Sequence, residues 1–175
     1  MTDEKPKRSK TVALVVVLVS AFVMLGIAEI VLRVAASRRQ LAEDPDWQSA
    51  QALHRRSEDP ELIYELIPNA VAKRHGVEVS VNSSGFHDHE FPDSNSAARP
   101  RIVVLGDSVA WGWGVSMEHA FPQLIEEKLI RSPPNSGEQP VVYNLGVDGY
   151  STRQEIRVLE TVGLGFAPDL IVVAY

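Results

Sequence analysis

The segment from Arg101 to Val115, RIVVLGDSVAWGWGV, constrains the fold of this chain more than any other. An apolar run, Ile102 to Leu105, ends abruptly at Gly106-Asp107-Ser108. A short β-branched run closed by a glycine is typical of a buried parallel strand that enters a tight turn. Because open α/β sheets place their chemistry at the carboxyl ends of the strands, Ser108 is a hydroxyl at the expected reactive edge.

The chain from Arg101 onward alternates between predicted strands and helices. The strands are predicted at Ile102–Leu105, Val141–Leu145 and Leu170–Ala174. The helices are predicted at about Met117–Arg131, with Ser116 as its N-cap, and at Thr152–Val162, with Pro133 to Gly137 as a return loop. This alternation predicts a parallel sheet with right-handed crossovers. The third strand lacks a partner on one side and the sequence stops at Tyr175, so we expect an incomplete sheet in a chain that is cut short.

An uncharged segment near the N-terminus predicts a membrane helix. Thr11 to Ala28 carries no charge and has no polar face, and the apolar character resumes at Ile30 to Leu32. About 18 such residues suffice to cross a bilayer. We therefore predict a cytoplasmic basic tail over residues 1–10 and a single-pass anchor in the lipid bilayer over residues 11–35, with the body outside the cell membrane. A cleaved signal peptide that ends near Val34-Ala35-Ala36 is the alternative.

Charge and cysteine content exclude several classes of function. Residues 1–40 hold seven Lys and Arg against three Asp and Glu, whereas the rest of the chain holds ten against twenty. Nucleic acid is not an expected partner, because phosphate binding needs a basic face on the folded domain. The chain has no cysteine, which excludes disulfides, thiolate metal sites and cysteine nucleophiles.

Residues 36–100 are predicted to be a polar connecting region with short elements. Asp44–Arg56 could form an amphipathic helix, while Leu62–Tyr64 and Val77–Val81 have strand-like patterns, and Ser94–Pro100 is predicted to be a flexible linker. The run His87-Asp88-His89-Glu90 suggests a metal site, but no third ligand is evident nearby. We therefore interpret these four residues, and the scattered His54, His75 and His119, as solvated, and we expect no metal.

Two sequence blocks carry a resemblance to a known family. The Gly-Asp-Ser block and NLGVDGYSTRQE, Asn144 to Glu155, resemble the first two signatures of the SGNH (GDSL-type) hydrolases. The runs YELIPNA and VNSSGFHDHEFP resemble the lead-in of membrane-anchored bacterial members, although His87 stands where an arginine commonly follows the phenylalanine. The resemblance implies a flavodoxin-like three-layer α/β sheet, incomplete here, that works without a cofactor.

The resemblance also implies roles for individual residues. Ser108 would be nucleophile and oxyanion donor, and Gly149, in the turn after the second strand, would be the second donor. Gly106, Asp107, Asn144 and Gly146 would support the site. Of these, Asp107 would hydrogen-bond the turn and Gly146 is a weaker alternative to Gly149 as the second donor.

The family's later blocks are missing from the sequence. The asparagine block and the Asp-x-x-His block, which supplies the base, do not occur in these 175 residues. Loss of the base from a serine triad lowers the rate by orders of magnitude. We therefore expect an inactive part of an ester hydrolase or acyl transferase, whose ester-bearing substrate could be an envelope glycan by analogy.

Alternatives from other classes remain open. A membrane-tethered binding or scaffold protein with a degenerate site is the main one, and a continuing reading frame past Tyr175 would favour the enzyme over it. A phosphate-cradling loop at Gly112 and Gly114 is disfavoured, because it has no lysine and fits neither nucleotide-binding glycine pattern. Gly106-Asp107-Ser108 could also simply close a strand.

Overall fold

The computed structural model describes residues 10–92, 99–133, 137 and 139–175 of the chain. The chain divides into two compact units, Met1–Asp44 and Pro45–Tyr175. Most of the predicted linker at Ser94–Pro100, of the return loop at Pro133–Gly137 and of the basic tail lies outside the described residues.

The first unit contains one long helix, α1, over Lys10–Glu43. Within it, Val12–Gln40 has a mean hydropathy of 2.7 and is long and apolar enough to cross a membrane. The helix continues beyond the predicted anchor at residues 11–35, because the alanines, arginines and leucine that follow are good helix formers. Glu29 and Arg33, one turn apart, form an ion pair with 2.8 Å between Oε1 and Nε.

The second unit begins with a helix and two hairpins. Helix α2 covers Pro45–Leu53, and the antiparallel pairs are β1 (His54–Arg56) with β2 (Tyr64–Leu66) and β3 (Val71–Arg74) with β4 (Val77–Ser80). The helix predicted at Asp44–Arg56 thus ends three residues early, where β1 pairs with β2. The strand predicted at Leu62–Tyr64 was wrong in position, since Ile63 has a φ of +68° and the strand starts only at Tyr64.

A three-stranded parallel sheet forms the centre of this unit and makes the fold mixed α/β. Strand β5 (Arg101–Gly106) lies between β6 (Val141–Asn144) and β7 (Leu170–Ala174). All three strands agree with the predicted ones to within one residue at each end. The register places Val103 opposite Tyr143 on one side and Ile171 on the other.

Three α-helices accompany the sheet, and one of them was not predicted. They are α3 (Ser108–Trp111), α4 (Phe121–Arg131) and α5 (Thr152–Thr161). The helix predicted at Met117–Arg131 is divided into a 3₁₀ turn, Met117–His119, and α4. Pro122 in the first turn of α4 explains the new start, because proline is favoured there and lacks the N–H that a continuous helix would use. Ser116 does not cap a helix with its side chain.

The hydrophobic core joins the sheet to the region upstream of it. Every residue of β5 and β6 is buried. The main cluster combines their side chains with five apolar residues from the predicted connecting region: Leu53, Leu66, Val79, Val81 and Phe86. Residues 45–91 therefore pack as part of the α/β unit, which the many polar residues and prolines between these positions concealed.

Candidate functional site

Ser108 lies where the central strand turns into a short helix. Strand β5 ends at Gly106, and Ser108 is the first residue of α3. Asp107 is the N-cap, and its Oδ1 accepts a hydrogen bond of 3.0 Å from the Val109 N–H. This is the bond within the turn that the sequence predicts for Asp107. It leaves the Ser108 side chain partly exposed at the carboxyl edge of the sheet.

Asn144 and Gly146 fasten the end of β6 to α3. The Asn144 side chain is fully buried, its Nδ2 donates to the Ala110 carbonyl at 2.9 Å, and its Oδ1 accepts from the Gly146 N–H at 3.0 Å. A Cβ at Gly146 would come within 2.6 Å of the Ala110 Cβ, so only glycine allows α3 this close. Because Asn144 already occupies the Gly146 N–H, Gly146 cannot also donate it to a substrate.

Gly106 has a comparable steric role on the other side of the turn. A Cβ there would lie 2.5 Å from the Ala174 carbonyl oxygen of β7 and 2.9 Å from the Ala110 Cβ. Its φ of +154° is also one that residues with side chains rarely adopt. The glycine that closes β5 therefore lets the strand end, α3 and β7 meet without a clash.

Ser108 and Gly149 line one open pocket of about 630 Å³. Gly149 lies in the turn after β6 and has a φ of +76°, in the left-handed region that favours glycine. Trp113 and His119 also border the pocket, and its apolar walls come from Val109, Val115, Ala120 and Phe121. The structure therefore brings together the two residues that the sequence singles out as oxyanion donors.

The polar atoms of these two residues are available to a ligand. Within the part of the chain that the structure describes, neither the Ser108 N–H nor the Gly149 N–H has a hydrogen-bond partner, and the Ser108 Oγ has none. The first N–H groups of a helix have no intrahelical acceptor, which explains the free amide of Ser108. Two free amides at one pocket are the type of donors that stabilise a developing oxyanion, and the Ser108 hydroxyl lies beside them.

No histidine of the described chain contacts the Ser108 hydroxyl. His119 borders the pocket, but its Nδ1 lies 2.7 Å from the Ser116 Oγ. His75 packs against Trp113, with 4.6 Å between the ring centroids. The Ser108 hydroxyl therefore has no imidazole beside it among these residues.

The interpretation of His87 and Asp88 as solvated was wrong. His87 is 1% exposed and Asp88 is 6% exposed, because the segment folds inward and packs against Trp111 and α4. The His87 Nδ1 lies 2.7 Å from the Ser80 carbonyl oxygen, and burial lowers the pKa of this imidazole. Among residues 10–92, 99–133, 137 and 139–175, no group of three His, Asp or Glu side chains could hold a metal ion.

Asp88 supports β6 through neutral donors. Its Oδ2 accepts from the Asn144 N–H and its Oδ1 from the Gln123 Nε2, both at 2.8 Å. Burial raises the pKa of Asp88 to about 6, although these hydrogen bonds oppose the rise. The carboxyl group therefore changes its protonation state near neutral pH while it holds the end of the strand that precedes Gly149.

Asp148, next to Gly149, lies in a charged cluster that the sequence analysis missed. Its Oδ1 lies 2.8 Å from the His54 Nε2, and its Oδ2 accepts from the Arg74 Nη1 at 2.6 Å. Burial would raise the pKa of Asp148, but the hydrogen bonds and positive charges of His54 and Arg74 outweigh it and lower this pKa. Burial also lowers the pKa of His54, and here the bond to Asp148 prevails and raises it.

Arg74 connects this cluster to the pocket wall. Its guanidinium lies over the ring of Trp113, 4.1 Å from the centroid, while it also binds Asp148. A cation over an indole face is a favourable contact. No sequence signal could have revealed the cluster, because Arg74 and His54 lie in separate hairpin strands 74 and 94 residues before Asp148.

Glu155 is a further buried carboxyl group near this edge. It lies in the first turn of α5 and is 3% exposed. Burial raises its pKa, and the negative charge of Asp107 raises it further.

In comparisons with known proteins, no family model matches this chain and no curated protein matches it. The arrangement of Ser108, Gly149 and their pocket therefore carries the functional conclusion.

Proposed function

We propose that this chain carries the nucleophile and oxyanion site of a serine ester hydrolase or acyl transferase with an SGNH-like, flavodoxin-type fold. The observation that carries the proposal is that Ser108 and Gly149 line one pocket with their amides unpartnered. Chain topology also supports it, since both residues lie in the segments that follow the carboxyl ends of two adjacent parallel strands.

The proposed reaction begins with attack of the Ser108 Oγ on an acyl carbonyl carbon. A base takes the hydroxyl proton, and the carbonyl oxygen becomes an oxyanion that accepts from the Ser108 and Gly149 amides. Collapse of this intermediate expels the alcohol, which takes up a proton, and leaves an ester on Ser108. Water then completes hydrolysis, or a second alcohol completes transfer.

The base is the part of this reaction that the described residues do not provide. The 175 residues contain no Asp-x-x-His sequence, and the Ser108 Oγ contacts no imidazole. We therefore expect this chain alone to turn over esters slowly or not at all, since a serine without its base keeps only the contribution of the oxyanion donors and of binding.

We also propose that the α/β unit works outside the cytoplasmic membrane. Helix α1 could span a bilayer, and the lysines and arginines before Val12 favour a cytoplasmic N-terminus. An ester-bearing envelope glycan is the substrate class we infer from that location, by analogy alone.

Chemical rescue tests the proposed function on this chain. The chain in detergent micelles is incubated with p-nitrophenyl acetate, with and without imidazole as an external base, and acetylated peptides are mapped by mass spectrometry. We expect an acetyl group on Ser108 that depends on imidazole, because the open pocket admits the base that the chain lacks. Acetylation should disappear in Ser108→Ala.

Ser116→Ala is the matched control for this experiment. Ser116 is close in sequence, and unlike the Ser108 hydroxyl its Oγ has an imidazole partner, the His119 Nδ1 at 2.7 Å. Ser116→Ala should retain acetylation at Ser108. Acetylation that follows Ser116, or that spreads over several surface residues without preference for Ser108, would contradict the proposal.

A binding protein is the second candidate, and the lack of a base beside Ser108 favours it. Such a protein would hold an acyl or saccharide ligand in the pocket without bond cleavage. It predicts that ligand affinity is the same in Ser108→Ala as in the wild type, and that imidazole produces no acetyl-Ser108.

A further inference from the structure

We propose that Tyr64 is a positioning residue that sets the direction of the Gly149 N–H toward the pocket. The inference rests on the proposed function, in which this amide is one of two oxyanion donors. It adds a residue from the upstream hairpins, far in sequence from both signature blocks, to the machinery of the site.

The Tyr64 hydroxyl contacts the turn that contains Gly149. Its Oη donates a hydrogen bond of 2.8 Å to the main-chain carbonyl oxygen of Asp148. A Cβ placed on Gly149 would lie 2.8 Å from the same Oη. The tyrosine hydroxyl therefore lies against the peptide that joins Asp148 to Gly149 and touches no other part of the turn through a hydrogen bond.

The geometry of the Asp148–Gly149 peptide links the Tyr64 bond to the direction of the Gly149 N–H. The Asp148 carbonyl and the Gly149 N–H belong to one planar trans unit, in which they point in opposite directions. A bond that holds the carbonyl toward Tyr64 therefore turns the N–H away from Tyr64. Gly149 borders the pocket and its N–H has no partner among the described residues.

His54 and Arg74 hold Tyr64 and Asp148 in position. The ring of His54 packs edge-on against Tyr64, with 5.5 Å between the centroids, and His54 also binds the Asp148 side chain. Arg74 holds the other carboxylate oxygen of Asp148. The side chain of Asp148 thus fixes the position of the turn, and the Tyr64 hydroxyl fixes the rotation of its peptide plane.

The hydroxyl of Tyr64 also remains a donor. Burial raises the pKa of Tyr64 to about 12. The phenol is therefore protonated at any pH at which an esterase would be assayed, and it can donate to the carbonyl throughout.

Tyr64→Phe and Tyr150→Phe form a matched pair that tests the inference. Each substitution deletes one partly buried hydroxyl that donates to a main-chain carbonyl, since the Tyr150 Oη donates to the Tyr64 carbonyl at 2.6 Å. A merely structural role predicts equal effects of the two variants. We expect Tyr64→Phe to shift the Gly149 amide resonance more than Tyr150→Phe does, in the full chain in micelles.

The same pair is compared in the imidazole-dependent acetylation of Ser108. Tyr64→Phe should lower the maximal acetylation rate by up to about 100-fold, while the half-saturating ester concentration stays unchanged, because a misdirected donor acts on the transition state. Tyr150→Phe should acetylate closer to the wild-type rate, because its hydroxyl binds the main chain of Tyr64 and not the Asp148–Gly149 peptide. Equal rates and equal Gly149 resonances in both variants would overturn the inference.

The two proposals fail in different ways. If the wild type forms no acetyl-Ser108, the proposed function fails, while the Gly149 resonance still reports whether Tyr64 orients the peptide. Residual dipolar couplings of the wild-type chain measure the Gly149 N–H direction without any variant, so the inference stays testable if Tyr64→Phe does not fold. An N–H directed toward the Tyr64 ring would overturn it.

Discussion

Two buried aspartates flank the end of β6 and differ in what they bind. Asp88 accepts hydrogen bonds from an amide of Asn144 and from Gln123, both neutral, and its pKa rises to about 6. Asp148, in the turn that follows, binds the cationic Arg74 and His54, and its pKa falls. Both side chains are nearly inaccessible, at 6% and 8% residue exposure. The charge of the partners, not burial, therefore decides whether the carboxylate is stabilised.

The difference assigns the two aspartates different tasks around the pocket. Asp148 holds the turn of Gly149 through a charged contact with Arg74 and a bond with His54, which adds a second charge when the imidazole is protonated. Asp88 supports the strand before that turn through neutral N–H donors, which stabilise its ionised form less than the cationic partner of Asp148 does. The three predictions below compare these tasks, from the largest expected effect to the smallest.

Asp148→Asn should cause the largest loss. The substitution leaves Arg74 and His54 buried beside a neutral amide, and breaking a buried ion pair by removal of one partner costs about 3–5 kcal/mol. Denaturant unfolding of the chain in micelles at pH 7 measures the loss. Asp88→Asn is the comparison and should cost much less at this pH. Equal losses for the two variants would contradict the distinction between charged and neutral partners.

Asp88 should make the chain less stable as pH rises. Its folded pKa of about 6 lies above the ordinary 3.8, so the folded state binds more protons between these values. The free energy of unfolding of the wild type should therefore fall by about 2 kcal/mol relative to Asp88→Asn between pH 4 and pH 6, since each pKa unit is worth 1.36 kcal/mol and the carboxyl group titrates only partly at the ends of this range. If the difference in the free energy of unfolding between the wild type and Asp88→Asn stays constant over this range, Asp88 ionises as easily in the folded as in the unfolded chain.

His54→Gln should have the smallest effect on stability. The raised pKa of His54 means that its charged form stabilises the fold fully below pH 6.5, and that this stabilisation is lost as pH rises through the folded pKa. Glutamine can still donate to Asp148 but carries no charge. The stability advantage of the wild type over His54→Gln should therefore shrink as pH rises from 6 to 9, and an advantage that grows would contradict the assignment.

The three strands of the sheet, and the positions of Ser108 and Gly149 at its carboxyl edge, could be predicted from local sequence. Strands β5, β6 and β7 are short β-branched runs, and the turns that follow β5 and β6 carry Ser108 and Gly149. Short-range patterns suffice for β5 and β6, because a parallel strand buried on both faces reads as a continuous apolar run.

The contacts that hold the site in position could not be predicted from local sequence. The bond between Tyr64 and Asp148 joins residues 84 positions apart, and the run from His87 to Glu90 gives no local sign that its first two side chains are buried. Such contacts depend on how the hairpins pack against the sheet. The polar sequence of residues 36–100 has no apolar periodicity from which this packing could be predicted.

A crystal structure of the chain after imidazole-dependent acetylation tests the central claim most directly. We predict an acetyl group on the Ser108 Oγ, with its carbonyl oxygen within about 3 Å of both the Ser108 and the Gly149 amide nitrogens. An acetyl group on another side chain, or one whose oxygen points away from the Gly149 nitrogen, would contradict the account of this pocket as an oxyanion site.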